Sequence, residues 1–358
     1  MTQSSEAVDP ERVMAFLGRV VGDGAAAVAG LSTSIGGRLG LYTAMAGAGP
    51  MTSAQLAERT GLVERYVREW LDTQVAGEYV LFDAEANTYS LPAEHAAVLA
   101  DPASPAYAMG LFALLKALYA TEEALVEAFL GRQDVGWQHH SDALFEGVAA
   151  FFRPTYAASL VDEWLPSLDG VVNKLEHGAS VADVGCGYGY STLLMAEAYP
   201  KSRFYGFDFH EPSIKAAREL AKEHGLADRV TFEAATVGDF PGDKYDLITF
   251  FDCLHDMGNP GEALHRAEQA LAKDGTCMIV EPNTSHRPQD NINPVGRAFA
   301  GLSTALCLPS AMAQKGPQAL GNHAGEAAMR DIASRAGLDS WRLATEGLIS
   351  RVYDVKRS

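Results

Sequence analysis

The first fifty residues place apolar side chains at helical spacing. Val13, Phe16, Leu17, Val20 and Val21 recur at the intervals of one helix face. Helices with so large an apolar surface need a partner surface to cover it. We expect neighbouring N-terminal helices and a second subunit to supply that surface.

Residues 51–92 predict a small unit of two helices and a hairpin. Thr52 is a candidate N-cap for a helix that stops at Gly61, and a second helix spans 62–77. Two strand-like runs, 79–83 and 88–92, follow. Helix, turn, helix and β-hairpin form a winged-helix layout, which serves in DNA binding or as a dimerisation or substrate-lid domain.

The pattern then changes twice. Residues 95–165 are helical throughout, and from Ser180 onward strands alternate with helices, which predicts βαβ units and a doubly wound parallel sheet. We expect the helix that contains Glu262 to run to Gly275 and the next strand to start at Thr276. Residues 341–345 and 350–355 predict an antiparallel hairpin at the sheet edge, and residues 282–324 predict a lid with a helix over the pocket. The predicted domains are 1–105, 106–165 and 166–358.

Charge and composition narrow the possible partners. Lys+Arg is 28 and Asp+Glu is 46, a formal net charge of -18, which disfavours nucleic acid and anionic membranes. Residues 51–92 hold three Arg, no Lys and seven Asp/Glu, so the winged unit is acidic as well. Four cysteines without a CxxC pair argue against a disulfide framework and a structural zinc site. We find neither a signal peptide nor a membrane span by pattern and expect a cytoplasmic protein without a metal.

A carboxylate and three glycines follow the first strand of the sheet. Asp183, Gly185, Gly187 and Gly189 form this turn, and Asp208 stands at the end of the next strand. A dinucleotide-binding turn has its third glycine one residue later, so a nicotinamide-dependent oxidoreductase is the less favoured reading. An acid beside the turn suits a ligand with an ammonium or sulfonium group, and Asp208 can accept both hydroxyls of a ribose.

The fourth strand ends in a cluster of ionisable residues. Asp252, His255 and Asp256 lie within five positions, at the carboxyl end of a strand where ligands of doubly wound sheets bind. A phenol is a poor nucleophile until it loses its proton, with a pKa of about 10. Imidazole, with a pKa near ~6.5, is a suitable general base at neutral pH.

These motifs resemble those of the class I S-adenosylmethionine-dependent methyltransferases. The winged-helix front makes the chain similar to small-molecule O-methyltransferases that dimerise through an N-terminal domain. The resemblance implies a Rossmann-like sheet, a homodimer, and S-adenosylmethionine as the cofactor. The implied acceptor is a small aromatic or polycyclic molecule, methylated on oxygen. Methylation of carbon or nitrogen, or a ligand-sensing winged-helix regulator, are the alternatives.

The resemblance also implies roles for individual residues. His255 is the general base and Glu281 orients it. Arg153 and Tyr156 either close over the methionyl carboxylate or pack between domains. The implied cofactor contacts are Asp183, Gly185 and Gly187 under the methionyl part, Asp208 on the ribose, Phe209 on the adenine ring, Thr236 or the backbone of Val237 on the adenine amino group, and Asp252 and Cys253 at the sulfonium end.

Overall fold

The computed structural model describes residues 8–358, and the chain divides into two units after Lys116. The second unit covers Ala117–Ser358 and so includes residues 117–165. The three-domain division at residues 105 and 165 stays a prediction about folding units.

The N-terminal unit has the predicted winged-helix layout. Its elements are helices α1 (Pro10–Arg38), α2 (Leu41–Met45), α3 (Ser53–Thr60), α4 (Glu64–Ala76), α5 (Ala93–Leu99) and strands β1 (Leu81–Asp83) and β2 (Thr88–Ser90). Thr52 and Gln55 form a capping box at the start of α3, and Gly61, with φ +69°, ends it. The antiparallel β1–β2 hairpin is the wing. Thr52 and Gly61 therefore act as the sequence predicts.

Helix α1 exposes most of its apolar side chains. Phe16 is 67% exposed and Val28 is 70% exposed, and none of the most apolar 18-residue window is buried within the described structure. This helix alone among the described ones is long and apolar enough to span a membrane, judged by length and composition. The prediction that these apolar positions need an additional partner surface therefore stands.

The C-terminal unit is built on a seven-stranded sheet. Its strands are β3 (Ser180–Val184), β4 (Arg203–Asp208), β5 (Val230–Ala234), β6 (Tyr245–Phe251), β7 (Leu271–Pro282), β8 (Ser340–Glu346) and β9 (Ser350–Lys356). They lie in the order β5-β4-β3-β6-β7-β9-β8. The first five are parallel, while β9 pairs antiparallel with both β7 and β8. The α/β sheet with an antiparallel C-terminal hairpin is confirmed.

Helices flank this sheet in sequence. Helix α6 (Met109–Tyr119) crosses the unit boundary, and the helices that follow it are α7 (Glu122–Phe129), α8 (Asp142–Ser159), α9 (Val171–His177), α10 (Tyr190–Ala198), α11 (Glu211–Glu223), α12 (Pro260–Ala270), α13 (Pro294–Leu302), α14 (Leu308–Ala313) and α15 (Gly325–Arg335). Alternate residues of β3 enter different hydrophobic clusters, with Val181 in one and Ala182 in the other, so the sheet is buried on both faces. Strands β4 and β6 pair with opposite edges of β3, so the connections on its two sides diverge. A crevice therefore opens at the carboxyl ends of these strands.

One predicted boundary is wrong. Helix α12 ends at Ala270, and residues 271–275 belong to β7 instead of continuing the helix to Gly275. Leu271 pairs with Tyr245 of β6, after which the register shifts. Leu271, Ala272 and Lys273 have good helix propensity, but strand pairing outweighs it here.

Candidate active site

A chamber of about 1170 Å³, counting its open mouth, lies at the carboxyl ends of β3, β4 and β6. Most of the predicted cofactor residues line it, namely Gly185, Gly187, Asp208, Phe209, Val237, Asp252 and Cys253. Asp183, Thr236, His255 and Glu281 are not among the lining residues.

Asp183 lies beneath the glycine turn. Its carboxylate is 0% exposed and accepts hydrogen bonds from the hydroxyls of Ser191 (2.7 Å), Thr192 (2.6 Å) and Thr249 (3.0 Å). Burial raises the pKa of Asp183, and the three hydroxyls oppose that rise. The carboxylate therefore joins β3 to α10 and β6 and fixes the turn from below, so any effect on a ligand acts through the backbone above it.

The end of β4 faces the chamber directly. The Asp208 carboxylate accepts the backbone N–H groups of Gly187 and His210, each at 2.9 Å. Phe209 is 47% exposed, which leaves its ring free to stack on a planar ligand. Thr236 is exposed and its hydroxyl donates to Asp239 (3.0 Å), whereas Val237 lines the chamber. Of the two predicted adenine contacts, the backbone of Val237 is the better placed.

Asp252 follows β6 in a left-handed backbone conformation, with φ +49°. Its Oδ2 accepts the Tyr156 hydroxyl at 2.9 Å, while its buried Oδ1 has no partner among the described residues. Burial first, and then the Glu281 carboxylate, raise the pKa of Asp252 to about 7. The Cys253 thiol donates to the carbonyl of Val184 (3.2 Å). Arg153 is exposed, with its guanidinium 4.8 Å from the centroid of the Tyr190 ring.

His255 lies behind the chamber between two carboxylates. Its Nδ1 is 2.5 Å from Glu281 Oε2, and its Nε2 is 3.1 Å from Asp256 Oδ1. The ring is 3% exposed, and Asp256 lines the chamber in front of it. Burial alone would lower the pKa of His255, but Glu281 and Asp256 outweigh it and hold the pKa well above its usual range. A carboxylate oxygen faces each ring nitrogen, and this arrangement favours the protonated ring.

The same cluster offers donor atoms for a metal ion. Nitrogen of His255, oxygen of Asp256 and sulfur of Cys307 lie within 4.8 Å of one another, and all three residues are buried. Glu281 on the other ring nitrogen would orient such a histidine ligand. The expectation that no metal takes part stays a prediction.

An aromatic wall on the chamber is the main feature that the sequence analysis missed. It consists of Trp137 and one face of α8, formed by Phe145, Val148, Ala149, Phe152 and Tyr156. Phe145 stacks on His210 with ring centroids 4.1 Å apart and planes 3° apart. The five α8 residues of this wall follow one another at intervals of three, one, three and four residues. These intervals are typical of one face of an α-helix, so the sequence already indicated that they share a face. From the predicted lid only Gln314, just after α14, is among the lining residues.

Two family models match the chain. Residues 175–322 match a model described as a methyltransferase domain, and residues 26–101 match an Rv2258c-like winged HTH domain. The ubiquinone biosynthesis O-methyltransferase of Bordetella avium is 33% identical over 128 residues, which are 35% of this chain and 49% of that protein. The chain spans between 24% and 54% of the length of the first curated relatives.

Solved structures resemble the chain over nearly its whole length. The mitomycin 7-O-methyltransferase MmcR superposes with a TM-score of 0.69 at 20% identity, covering 97% of this chain and 100% of that one. Human N-acetylserotonin methyltransferase, solved in complex with S-adenosylmethionine, gives 0.68 at 15% identity, covering 99% and 100%. At these identities the likeness concerns the fold.

Together, the fold and the matched domains show a methyltransferase domain on a fold that solved methyltransferases share. The chain thus combines a winged HTH domain at residues 26–101 with a methyltransferase domain at residues 175–322. The matched domains support the resemblance, the enzyme class and the cofactor inferred from sequence. The roles of the individual site residues stay predictions.

The geometry of the chamber would suit S-adenosylmethionine. The glycine turn leaves open space above Gly187, where an added Cβ would meet nothing within 4 Å. Asp208 stands beside that space with a carboxylate able to accept ribose hydroxyls. The buried, unpartnered oxygen of Asp252 could accept a hydrogen bond from an ammonium group, which S-adenosylmethionine has.

Proposed function

We propose that the chain transfers a methyl group from S-adenosylmethionine to an oxygen of a small aromatic or polycyclic acceptor. When bound, the cofactor supplies a methyl group on a positively charged sulfur. The aromatic wall of α8 favours a planar, apolar acceptor. The observation that carries the proposal is the buried row of Glu281, His255 and Asp256 at the chamber, because methylation of a hydroxyl requires removal of its proton.

In this proposal the acceptor proton passes to His255 Nε2 through Asp256, which lines the chamber 3.1 Å from that nitrogen, and Glu281 holds the ring through Nδ1. The protonated ring must first lose its own proton, since only neutral imidazole accepts one. A positive charge bound in the chamber lowers the pKa of His255, because like charges oppose protonation. A filled cofactor site therefore favours the neutral form of His255. Asp256, between His255 and the chamber, is placed to meet the acceptor hydroxyl.

The cofactor contacts in this proposal follow from the lining residues. Asp208 accepts the ribose hydroxyls, Phe209 stacks on adenine, and the backbone of Val237 meets the adenine amino group. Gly185 and Gly187 let the backbone pass close beneath the ligand. Asp183 positions this turn from below.

The His255→Ala variant tests the assignment of the base. Methyl transfer from tritium-labelled S-adenosylmethionine to a panel of phenolic and polycyclic acceptors should fall by a factor on the order of 10²–10⁴. Affinity for S-adenosylhomocysteine, measured by titration calorimetry, should stay within about twofold, which is ~0.4 kcal/mol. Unchanged turnover with any accepted substrate would remove His255 from the role of base.

We also propose a homodimer held by the N-terminal unit, with the exposed apolar face of α1 covered by the second copy. Light scattering of the full chain should give the mass of a dimer. Replacing Phe16 and Val20 with Glu should yield a monomer, whereas the matched changes Arg12→Glu and Arg19→Glu, on the same helix, should leave the dimer intact. Flotation of the wild-type chain with liposomes would instead assign the face to a membrane.

A further inference from the structure

Asp252 is held in a backbone conformation that few side chains adopt. Its φ of +49° lies in the left-handed region, which costs about 1–3 kcal/mol for a residue with a side chain. The backbone N–H of Asp252 donates to the carbonyl of Val280 at 2.9 Å, so the neighbouring strand fixes this conformation. Backbone strain of this kind persists only where neighbouring groups hold the residue in its conformation. It is found mostly at functional sites such as those that bind ligands.

The two carboxylate oxygens of Asp252 have different surroundings. Oδ2 accepts the hydroxyl of Tyr156 at 2.9 Å. Tyr156 is 8% exposed, and its ring packs against Trp164 and Phe251 with centroids 5.8 and 5.4 Å away. Oδ1 is buried without a partner among the described residues. A buried acceptor without a donor costs about 1–3 kcal/mol, so this oxygen requires a donor from a ligand.

The charge of the chamber limits what that donor can be. Three carboxylates line it, those of Asp208, Asp252 and Asp256, and the lining residues include neither Lys nor Arg. Asp208 already accepts two backbone N–H groups, and Asp256 pairs with the His255 ring, 3.1 Å away. Among the buried oxygens of these three carboxylates, Asp252 Oδ1 is the one that has neither a hydrogen-bond donor nor an ion pair among the described residues. A sulfonium has no hydrogen to donate, whereas an ammonium group has three.

We propose that Asp252 Oδ1 binds the α-ammonium group of the cofactor and that Tyr156 is the positioning residue that directs this oxygen into the chamber. The inference rests on the use of S-adenosylmethionine and adds which atom receives its amino group. The Tyr156 hydroxyl donates its hydrogen to Asp252, so it has none to donate to the methionyl carboxylate of the cofactor. Tyr156 therefore acts on the cofactor through Asp252.

The protonation of Asp252 gives the proposal a second signature. Burial and the carboxylates of Glu281 and Asp256 raise its pKa, while His255 and the Tyr156 hydroxyl lower it, with a result of about 7. An ammonium ligand favours the ionised carboxylate, so its binding releases a proton below that value. Affinity for a ligand that carries the ammonium should rise from pH 6 to pH 8 and then level off.

The test compares two ligands on the full-length chain by titration calorimetry. S-adenosylhomocysteine carries the ammonium, and 5′-deoxy-5′-methylthioadenosine keeps the adenosine and the thioether but lacks the amino-acid part. A hydrogen bond to a charged group contributes about 1.5–3 kcal/mol, so Asp252→Asn should weaken S-adenosylhomocysteine roughly 10- to 100-fold. Asn tolerates the left-handed conformation, so the backbone is kept. Affinity for the shorter ligand should stay within about twofold, or ~0.4 kcal/mol.

Tyr156→Phe removes one hydroxyl and separates positioning from packing. S-adenosylhomocysteine should bind more weakly, and the rise of its affinity should move to higher pH, because the lost hydrogen bond no longer lowers the pKa of Asp252. The matched control is Tyr245→Phe, which removes a hydroxyl that donates to the carbonyl of Pro241 (2.8 Å) outside the chamber. That control should reproduce the wild type in both ligands and in pH dependence.

The remaining outcomes overturn the proposal in distinguishable ways. Wild-type affinity for S-adenosylhomocysteine in Asp252→Asn would show that Oδ1 does not bind the ammonium. Equal losses for both ligands would show that Asp252 and Tyr156 only support the shape of the chamber. A wild-type chain that binds neither ligand would overturn the cofactor assignment itself, and this inference with it.

Discussion

Replacing either of two glycines in the turn after β3 with Ala should impair the protein, one variant in stability and the other in ligand binding. Gly185 and Gly187 both have positive φ, +76° and +53°. A Cβ on Gly185 would lie 2.7 Å from Cys253 Sγ, inside the protein, whereas a Cβ on Gly187 would meet nothing within 4 Å. Gly170 has φ +78°, open space and no place in the chamber lining, so it is a matched control for backbone strain alone.

The magnitudes follow from these surroundings. Left-handed backbone costs a residue with a side chain about 1–2 kcal/mol, which applies to all three Ala variants. The clash with Cys253 adds about 1–3 kcal/mol for overpacking, so Gly185→Ala should lose about 2–5 kcal/mol in total. Gly187→Ala should lose no more stability than Gly170→Ala. Its methyl group instead occupies the space proposed for the cofactor, so its affinity should fall at least about tenfold, or ~1.4 kcal/mol.

Urea unfolding and calorimetry with S-adenosylhomocysteine separate these effects. Trp137, Trp164 and Trp341 lie in the C-terminal unit, so three of the four tryptophans report on it. If Gly187→Ala binds S-adenosylhomocysteine as tightly as Gly170→Ala does, the ligand does not lie over this turn. If Gly185→Ala is no less stable than Gly170→Ala, the close approach of Cys253 is not a constraint on the turn.

Three further changes test the remaining assignments. Glu281→Gln should lower the pKa of His255, so turnover should begin to rise at a lower pH than in the wild type. An unchanged pH profile of turnover would show that Glu281 does not act on the base. Asp208→Ala should weaken S-adenosylhomocysteine about 10- to 100-fold in calorimetry, from lost hydrogen bonds to the ribose, and unchanged affinity would contradict that role. Thr236→Val should leave affinity within about twofold, or ~0.4 kcal/mol, because its hydroxyl already donates to Asp239; a larger loss would restore Thr236 as an adenine contact.

Most of the fold could be predicted from patterns among residues that are close in sequence. The capping box of Thr52, the stop at Gly61 and the alternation of strands with helices are short-range patterns that the structure repeats. The error at residues 271–275 arose where a local preference for helix met a pairing with Tyr245. That partner lies 26 residues away from Leu271, so nothing within the segment reveals it.

The site was less predictable because its chemistry depends on distant pairs. The residue types of His255 and Glu281 indicated a base and its partner. That a second carboxylate, Asp256, faces the other ring nitrogen depends on the directions of the side chains, which the sequence does not show. The contact between Tyr156 and Asp252 joins positions 96 residues apart. The aromatic face of α8 was present in the helical period, yet only the packed structure shows that it faces a ligand chamber instead of a protein core.

Asp183 shows how a correct motif can have another physical cause than the one first assigned. The sequence suggested an acid near a positively charged ligand, and the structure places that acid under the turn with three hydroxyl donors and no exposed surface. Its carboxylate thus joins β3, β6 and α10 beneath the glycine turn. The preference for a positively charged ligand then depends on the carboxylates that line the chamber. Asp252 is the one among them with a buried oxygen that has neither a hydrogen-bond donor nor an ion pair among the described residues.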